Sequence, residues 1–135
     1  MLVVDSSAIA AVLLDEPEAP ACMSALEEYG IRLFSAANYV EIGAVMAGRA
    51  SREHRFRALA DLDDYLNEFR ITIVPVDEHL ARAAVKARIA YGRGFGTRGG
   101  LNFGDSFAYA LAKHHAAPLL YVGDDFSLTD IHSAL

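Results

Sequence analysis

Asp5, Glu41 and Asp105 are each the sole charged side chain in a long apolar stretch. Asp5 stands alone in Met1–Leu14 (MLVVDSSAIAAVLL), Glu41 in Leu33–Gly48 (LFSAANYVEIGAVMAG) and Asp105 in Gly99–Ala112 (GGLNFGDSFAYALA). The chain is 22% charged, so stretches of this length should carry about three charges apiece. Such segments are composed for an interior, where an ionised carboxylate is costly unless something compensates it. Three convergent carboxylates would suit a hard divalent cation with an all-oxygen shell, Mg²⁺ or Mn²⁺. A further acidic pair, Asp124-Asp125, follows Gly123 near the C-terminus.

What must position these acids is an alternation of strands and helices. Leu2-Val3-Val4 reads as a buried strand and Ser6–Leu14 as a helix. A second helix is expected over Pro17–Tyr29, ended by Gly30, then a strand over Ile31–Phe34. Ser35 can cap a helix from Ala36 to Arg49. Phe56, Leu59, Leu62, Leu66 and Phe69 recur at helical spacing, which predicts a long amphipathic helix over Arg52–Arg70. Ile71–Val76 is a β-branched strand, and Asp77 caps a helix to about Tyr91. Gly92–Gly100 is a glycine-rich loop; a helix from Asn102 or Gly104 to His114 and a strand over Leu119–Val122 complete the reading. Alternation of this kind predicts a parallel sheet of four or five strands covered by helices on both faces. Ligands of such sheets bind beyond the carboxyl ends of the strands.

Asp5 and Asp124/Asp125 follow strands directly, and Glu41 lies in the second turn of a helix that follows one, so connectivity places them on one edge of the sheet. Asp105, in the first turn of its helix, is expected near the same edge. Each acid has a plainer reading. Asp5 could cap the first helix, and Asp105 could complete a capping box with Asn102. Asp124 and Asp125 could be turn residues, and Glu41 could pair with an arginine. The conjunction is what argues for a site: clustered acids repel one another and raise their own pKa values unless a cation sits between them.

A length of 135 residues suits one domain, taken here as 1–135, and can bury a substantial core. No apolar run reaches membrane-spanning length and no leader-like pattern opens the chain. The single cysteine, Cys22, fits a reducing compartment, and a cytoplasmic, non-membrane protein is expected. Net charge is −6, which in bulk opposes nucleic-acid binding, although bound cations or a local basic strip can outweigh it.

The motifs Val4-Asp5-Ser6-Ser7-Ala8, Tyr39-Val40-Glu41-Ile42, Leu101-Asn102-Phe103-Gly104-Asp105-Ser106-Phe107 and Gly123-Asp124-Asp125-Phe126 with Thr129-Asp130-Ile131 together resemble PIN-domain ribonucleases. They are most similar to the VapC toxins of bacterial type II toxin–antitoxin pairs, in order and spacing along nearly the whole chain. The resemblance implies a PIN-like three-layer α/β sandwich and a Mg²⁺-dependent endoribonuclease leaving 5′-phosphate and 3′-hydroxyl ends. It implies a cognate antitoxin as partner and a homodimer, for which the Ala8–Leu14 helix and the Glu41 helix could supply the face. By position, Asp5, Glu41 and Asp105 would bind the metal, Asp125 or Asp124 would be the fourth acid, and Ser7 would support Asp5.

RNA approaching an acidic centre requires a cationic rim. Arg93 and Arg98 of the glycine-rich loop are the candidates, with Lys86, Arg88 and Lys113 as further cations and Phe95 as a stacking ring. Exposed loops of tRNA or rRNA are plausible substrates for such a surface. His114-His115 is read as a helix end rather than a metal pair. Rival readings are an aspartate-based phosphotransferase or phosphatase and a catalytically inactive PIN-fold binding module. The phosphatase needs Asp-x-Asp where this chain has Asp5-x-Ser7. A response-regulator module needs its acceptor at the end of the third strand, where Asp77 reads as a cap.

Overall fold

A computed structural model describes Met1–Leu135. Four strands, β1 (Leu2–Val4), β2 (Arg32–Ser35), β3 (Ile71–Val74) and β4 (Leu119–Leu120), form one parallel sheet in the order β3-β2-β1-β4. Six helices flank it: α1 (Ser6–Leu13), α2 (Ala19–Glu28), α3 (Ala36–Arg49), α4 (Arg55–Glu68), α5 (Glu78–Tyr91) and α6 (Phe103–His114). β2 and β4 lie on opposite sides of β1, so strand order reverses at β1, the place where sheets of this class open a crevice.

Side-chain alternation along β1 divides the core in two. Leu2 and Val4 enter one apolar cluster with Ile9, Leu26, Phe34, Ile42, Leu62 and Leu120, under α1–α4. Val3 enters the other with Leu33, Leu80, Leu101, Leu111 and Leu119, under α5 and α6. Both faces of β1 are therefore dry, and every β1 residue is fully buried. The result is the expected three-layer arrangement.

Several boundaries differ from the sequence reading. β3 stops at Val74, ahead of Pro75, which has no N–H for a ladder. β4 stops at Leu120 because the Val122 N–H is donated to the Ser7 hydroxyl (3.0 Å) instead of a strand. A fifth strand is reduced to one bridge: Ser133 pairs with Leu119, and the Leu119 N–H bonds the His132 carbonyl, covering the outer edge of β4. α2 starts at Ala19 rather than Pro17. The long helix predicted over Arg52–Arg70 is a 3₁₀ turn (Arg52–His54) followed by α4, and Phe56 is 86% exposed instead of joining the core stripe.

Capping fixes where the site-bearing helices begin. Asp5 caps α1 by accepting from the Ser7 N–H, and Ser35 caps α3 by accepting from Ala37. Asn102 and Asp105 form a full capping box on α6.

Candidate active site

Asp5, Glu41, Asp105 and Asp125 line one cavity of about 210 Å³, together with Ser6, Ser7 and Asn102. For Asp5 and Asp105 the capping and site readings coexist, with one oxygen on the scaffold and one left over, whereas Glu41 meets no arginine and is held by Ser6 and Asn38.

Asp5 is buried. Its Oδ2 accepts from the Ser7 N–H (2.9 Å) and the Ser7 hydroxyl (2.6 Å). Its Oδ1 is buried with no hydrogen-bond partner at all. Glu41 Oε2 accepts from the Ser6 hydroxyl (2.7 Å) and Asn38 Nδ2 (3.3 Å), and no protein donor reaches Oε1. Asp105 Oδ2 accepts from the Asn102 N–H (2.7 Å), closing the capping box, and Oδ1 has no protein donor. Asp125 Oδ1 accepts from Arg93 Nη2 (2.7 Å), leaving Oδ2. Four carboxylates thus offer one unpaired oxygen apiece.

Electrostatics agrees with this convergence. Burial pushes Asp105 up to about 7 against the pull of its Asn102 bond, and the charges of Asp5, Asp125 and Glu41 add to the rise. Burial also raises Asp5, opposed by its Ser7 bonds and reinforced by the Glu41 charge. Acids from four different segments therefore feel one another.

The fit to a divalent cation rests on the orphaned Asp5 Oδ1. A buried carboxylate oxygen without a donor is expensive unless a cation or water satisfies it. No three acidic, imidazole or thiol groups close into a ready-made ion cage. The cavity instead has room for several waters. That suits Mg²⁺, which keeps much of its water shell and takes only one or two carboxylates directly.

Three supporting features were not read from the sequence. Asn38 is fully buried, and its Nδ2 lies within bonding distance of the Ser6 hydroxyl (3.2 Å), Glu41 and the Gly104 carbonyl (3.1 Å), tying α3 to α6. The Ser6 hydroxyl anchors Glu41. Gly104 leaves room for the Glu41 carboxylate, which any Cβ would overlap. The available signal for Asn38 was a lone amide one turn before the lone acid in an apolar helix.

Asp124 does not line the cavity; it is exposed, and its carbonyl accepts from Ser127. Of the two acids after Gly123, only Asp125 faces the other three. Arg93 reaches the site through Asp125, and Arg98 is exposed on the same loop. The remaining cations are engaged elsewhere. Arg88 bonds the Leu101 carbonyl and stacks over Phe95, Lys113 pairs with Asp130, and Lys86 lines a separate cavity with Lys113. His114 and His115 pack edge to face at the C-terminal end of α6, with His79 against His114. Of the apolar face expected from α1 and α3, Ala8, Ile9 and Ala11 are core residues, while Val40 and Val45 of α3 are exposed. Exposed apolar side chains also gather on α5, α6 and the loop between them, where Val85, Ile89, Phe95 and Phe103 line a groove of about 370 Å³.

Residues 2–131 match the family model described as PIN domain. The chain is 42% identical over 134 residues to Ribonuclease VapC28 of Mycobacterium tuberculosis, covering 99% of this chain and 98% of that protein. It is 39% identical over 130 residues to Ribonuclease VapC of Mycolicibacterium smegmatis, covering 96% and 97%. Among solved structures, Mycobacterium tuberculosis VapC20, described as a sarcin-ricin loop cleaving toxin, superposes with a TM-score of 0.75 at 14% identity over 97% of this chain and 96% of that one. FitAcB of Neisseria gonorrhoeae superposes at 0.73 and 19% identity, over 98% and 96%.

Proposed function

The chain belongs to the PIN domain family, and from that premise we propose that it is a divalent-metal-dependent endoribonuclease, the toxin of a VapBC-type toxin–antitoxin pair, acting as one domain over 1–135. The observation that carries the reading is the set of four inward carboxylates, each with an oxygen left unpaired by the protein, headed by the orphaned Asp5 Oδ1.

Asp5, Glu41 and Asp105 would hold Mg²⁺ or Mn²⁺ through those oxygens. Bound there, the cation would polarise a phosphate oxygen and lower the pKa of a water for in-line attack on phosphorus. The protein's own share is to hold the acids still. Ser7 fixes Asp5 and, through the Val122 N–H, the end of β4. Ser6 and Asn38 fix Glu41. The α6 capping box fixes Asp105. Asp125 supplies the fourth negative charge, and Arg98 with the Gly92–Gly100 loop offers a basic approach for the RNA backbone.

The partners we propose are a structured RNA, a cognate antitoxin and a second copy of the chain. The VapC names of the relatives and the similarity in fold to a toxin–antitoxin complex from Klebsiella pneumoniae support the antitoxin. Exposed Val85, Ile89 and Phe103 support self-association through α5 and α6.

The deciding experiment incubates the purified chain with a mixed RNA pool and Mg²⁺ or Mn²⁺, then with EDTA, alongside Asp5→Asn and Asp105→Asn. Cleavage should need the metal and both acids. Cleavage that persists after chelation, or in either variant, overturns the reading.

A further inference from the structure

Asp125 keeps different company from the other acids of the cavity. Asp5, Glu41 and Asp105 accept hydrogen bonds from neutral donors: main-chain N–H groups, hydroxyls and an amide. Asp125 alone is held by a cation, with the Arg93 guanidinium 2.7 Å from its Oδ1. The other salt bridges, Arg57–Asp61, Arg82–Glu78 and Lys113–Asp130, involve no residue of the cavity.

The main chain delivers Arg93 to this place and leaves its side chain open to water. The neck of the glycine-rich loop is tied by two backbone bonds, Arg93 N–H to the Leu101 carbonyl (3.1 Å) and Leu101 N–H to the Tyr91 carbonyl (3.2 Å). Gly100 rests on Asp125: a Cβ there would stand 3.2 Å from the Asp125 Cα and Oδ1. Gly94 and Gly96, at φ +85° and +71°, let the chain double back beyond the neck. The Arg93 side chain is 67% exposed and Asp125 41%. An ion pair so open to water contributes little to stability and is readily exchanged. A guanidinium is also well matched to a phosphate, which it can grip through two parallel bonds.

We propose that Arg93 is a positioning residue that changes partners, holding Asp125 Oδ1 in the RNA-free protein and moving to a backbone phosphate when RNA binds, so that the whole Asp125 carboxylate, and not Oδ2 alone, is free of a competing cation. The inference rests on the nuclease reading above. It makes substrate and metal binding mutually reinforcing: RNA removes the competitor of the metal for Asp125, and the metal removes the competitor of the phosphate for Arg93. By linkage the two effects are equal in size.

The test is calorimetric titration of Mn²⁺ into the RNA-free wild type, Arg93→Ala, Arg93→Lys, Asp125→Asn and the Arg93→Ala/Asp125→Asn double variant. Steady-state RNA cleavage is measured on the first three. Arg93→Ala should bind Mn²⁺ at least about fivefold tighter than wild type. It should also raise KM for RNA about tenfold, with a smaller change in kcat. Arg93→Lys keeps the charge and loses the fork, so both values should return most of the way to wild type. In the Asp125→Asn background, Arg93→Ala should no longer tighten Mn²⁺.

An unchanged or weaker Mn²⁺ affinity in Arg93→Ala overturns the exchange. So does tightening of the same size with Asp125→Asn, since that reports only the loss of a nearby charge. Either result, with a wild type that binds Mn²⁺ and cleaves RNA, leaves the nuclease reading standing. A wild type that binds no Mn²⁺ brings down both.

Discussion

The Glu41 carboxylate lies directly over Gly104, in the space where a side chain on residue 104 would begin. A Gly104→Ala variant must push that carboxylate aside or shift the start of α6. A displacement of about 1 Å at a catalytic group can cost about 100-fold in rate. Cleavage by this variant should fall by about that factor, with Mn²⁺ affinity falling alongside, while circular dichroism reports an intact fold. Near-wild-type cleavage would mean that Glu41 does not act from this position.

Asn38 ties Ser6, Glu41 and the Gly104 carbonyl together in a fully buried setting. Asn38→Ala removes this donor from a Gly104 carbonyl that lies within α6, a loss of about 0.5–1.5 kcal/mol for the hydrogen bond. Urea denaturation should show that loss. Cleavage should fall about tenfold or more, because Glu41 keeps only its Ser6 bond. Asn38→Leu should be less stable than wild type and no more active than Asn38→Ala.

Asp105 ionises near 7 in the metal-free fold against 3.8 for the ordinary side chain. Between those values the folded state holds a proton that the unfolded chain has released. Stability contributed by this group is therefore fully present below 3.8 and is lost as pH rises from there through about 7. In EDTA the protein should melt at a higher temperature at pH 5 than at pH 7.5. Mn²⁺ should restore the neutral-pH value, and Asp105→Asn should flatten the metal-free profile. A metal-free wild type with no such slope would contradict the crowding of charge in the cavity.

Ala116 follows α6 in the left-handed region, at φ +48°, where a Cβ is strained. Ala116→Gly should stabilise the chain by about 0.5–1 kcal/mol without altering cleavage, since residue 116 does not line the acid cavity. Chemical denaturation with a parallel RNA assay checks both halves.

Ile89 is 56% exposed on α5 beside Val85 and Phe103. If two copies meet on this face, Ile89→Glu buries a charge at their contact and should convert a dimer to a monomer in multi-angle light scattering. A wild-type monomer, or a dimer indifferent to this change, moves the interface elsewhere.

Much of this was legible from pattern. The isolation of Asp5, Glu41 and Asp105 pointed to one cavity because strand–helix alternation forces such acids to a common edge, and the cavity contains all three. Asn102 and Asp105 were legible as a capping box because that interaction is local in sequence. Asn38 and Ser6 were not, since their partners are 66 and 35 residues away and no local rule encodes such distances. Phe56 misled because helical spacing cannot tell whether a neighbouring layer reaches that turn; here it does not. The apolar residues of α1 and α3 divide between core and surface, Ile9 and Ile42 buried and Val40 and Val45 exposed, and composition alone cannot make that division.

Splitting each acid between scaffold and cavity gives one side chain two duties. The oxygen that caps α1 and the oxygen that faces the cavity belong to one side chain, so deleting Asp5 removes the start of a helix along with the chemistry. An intact but inert protein is reached by exchanging single atoms, as in Asp5→Asn, whose remaining oxygen can still accept from Ser7.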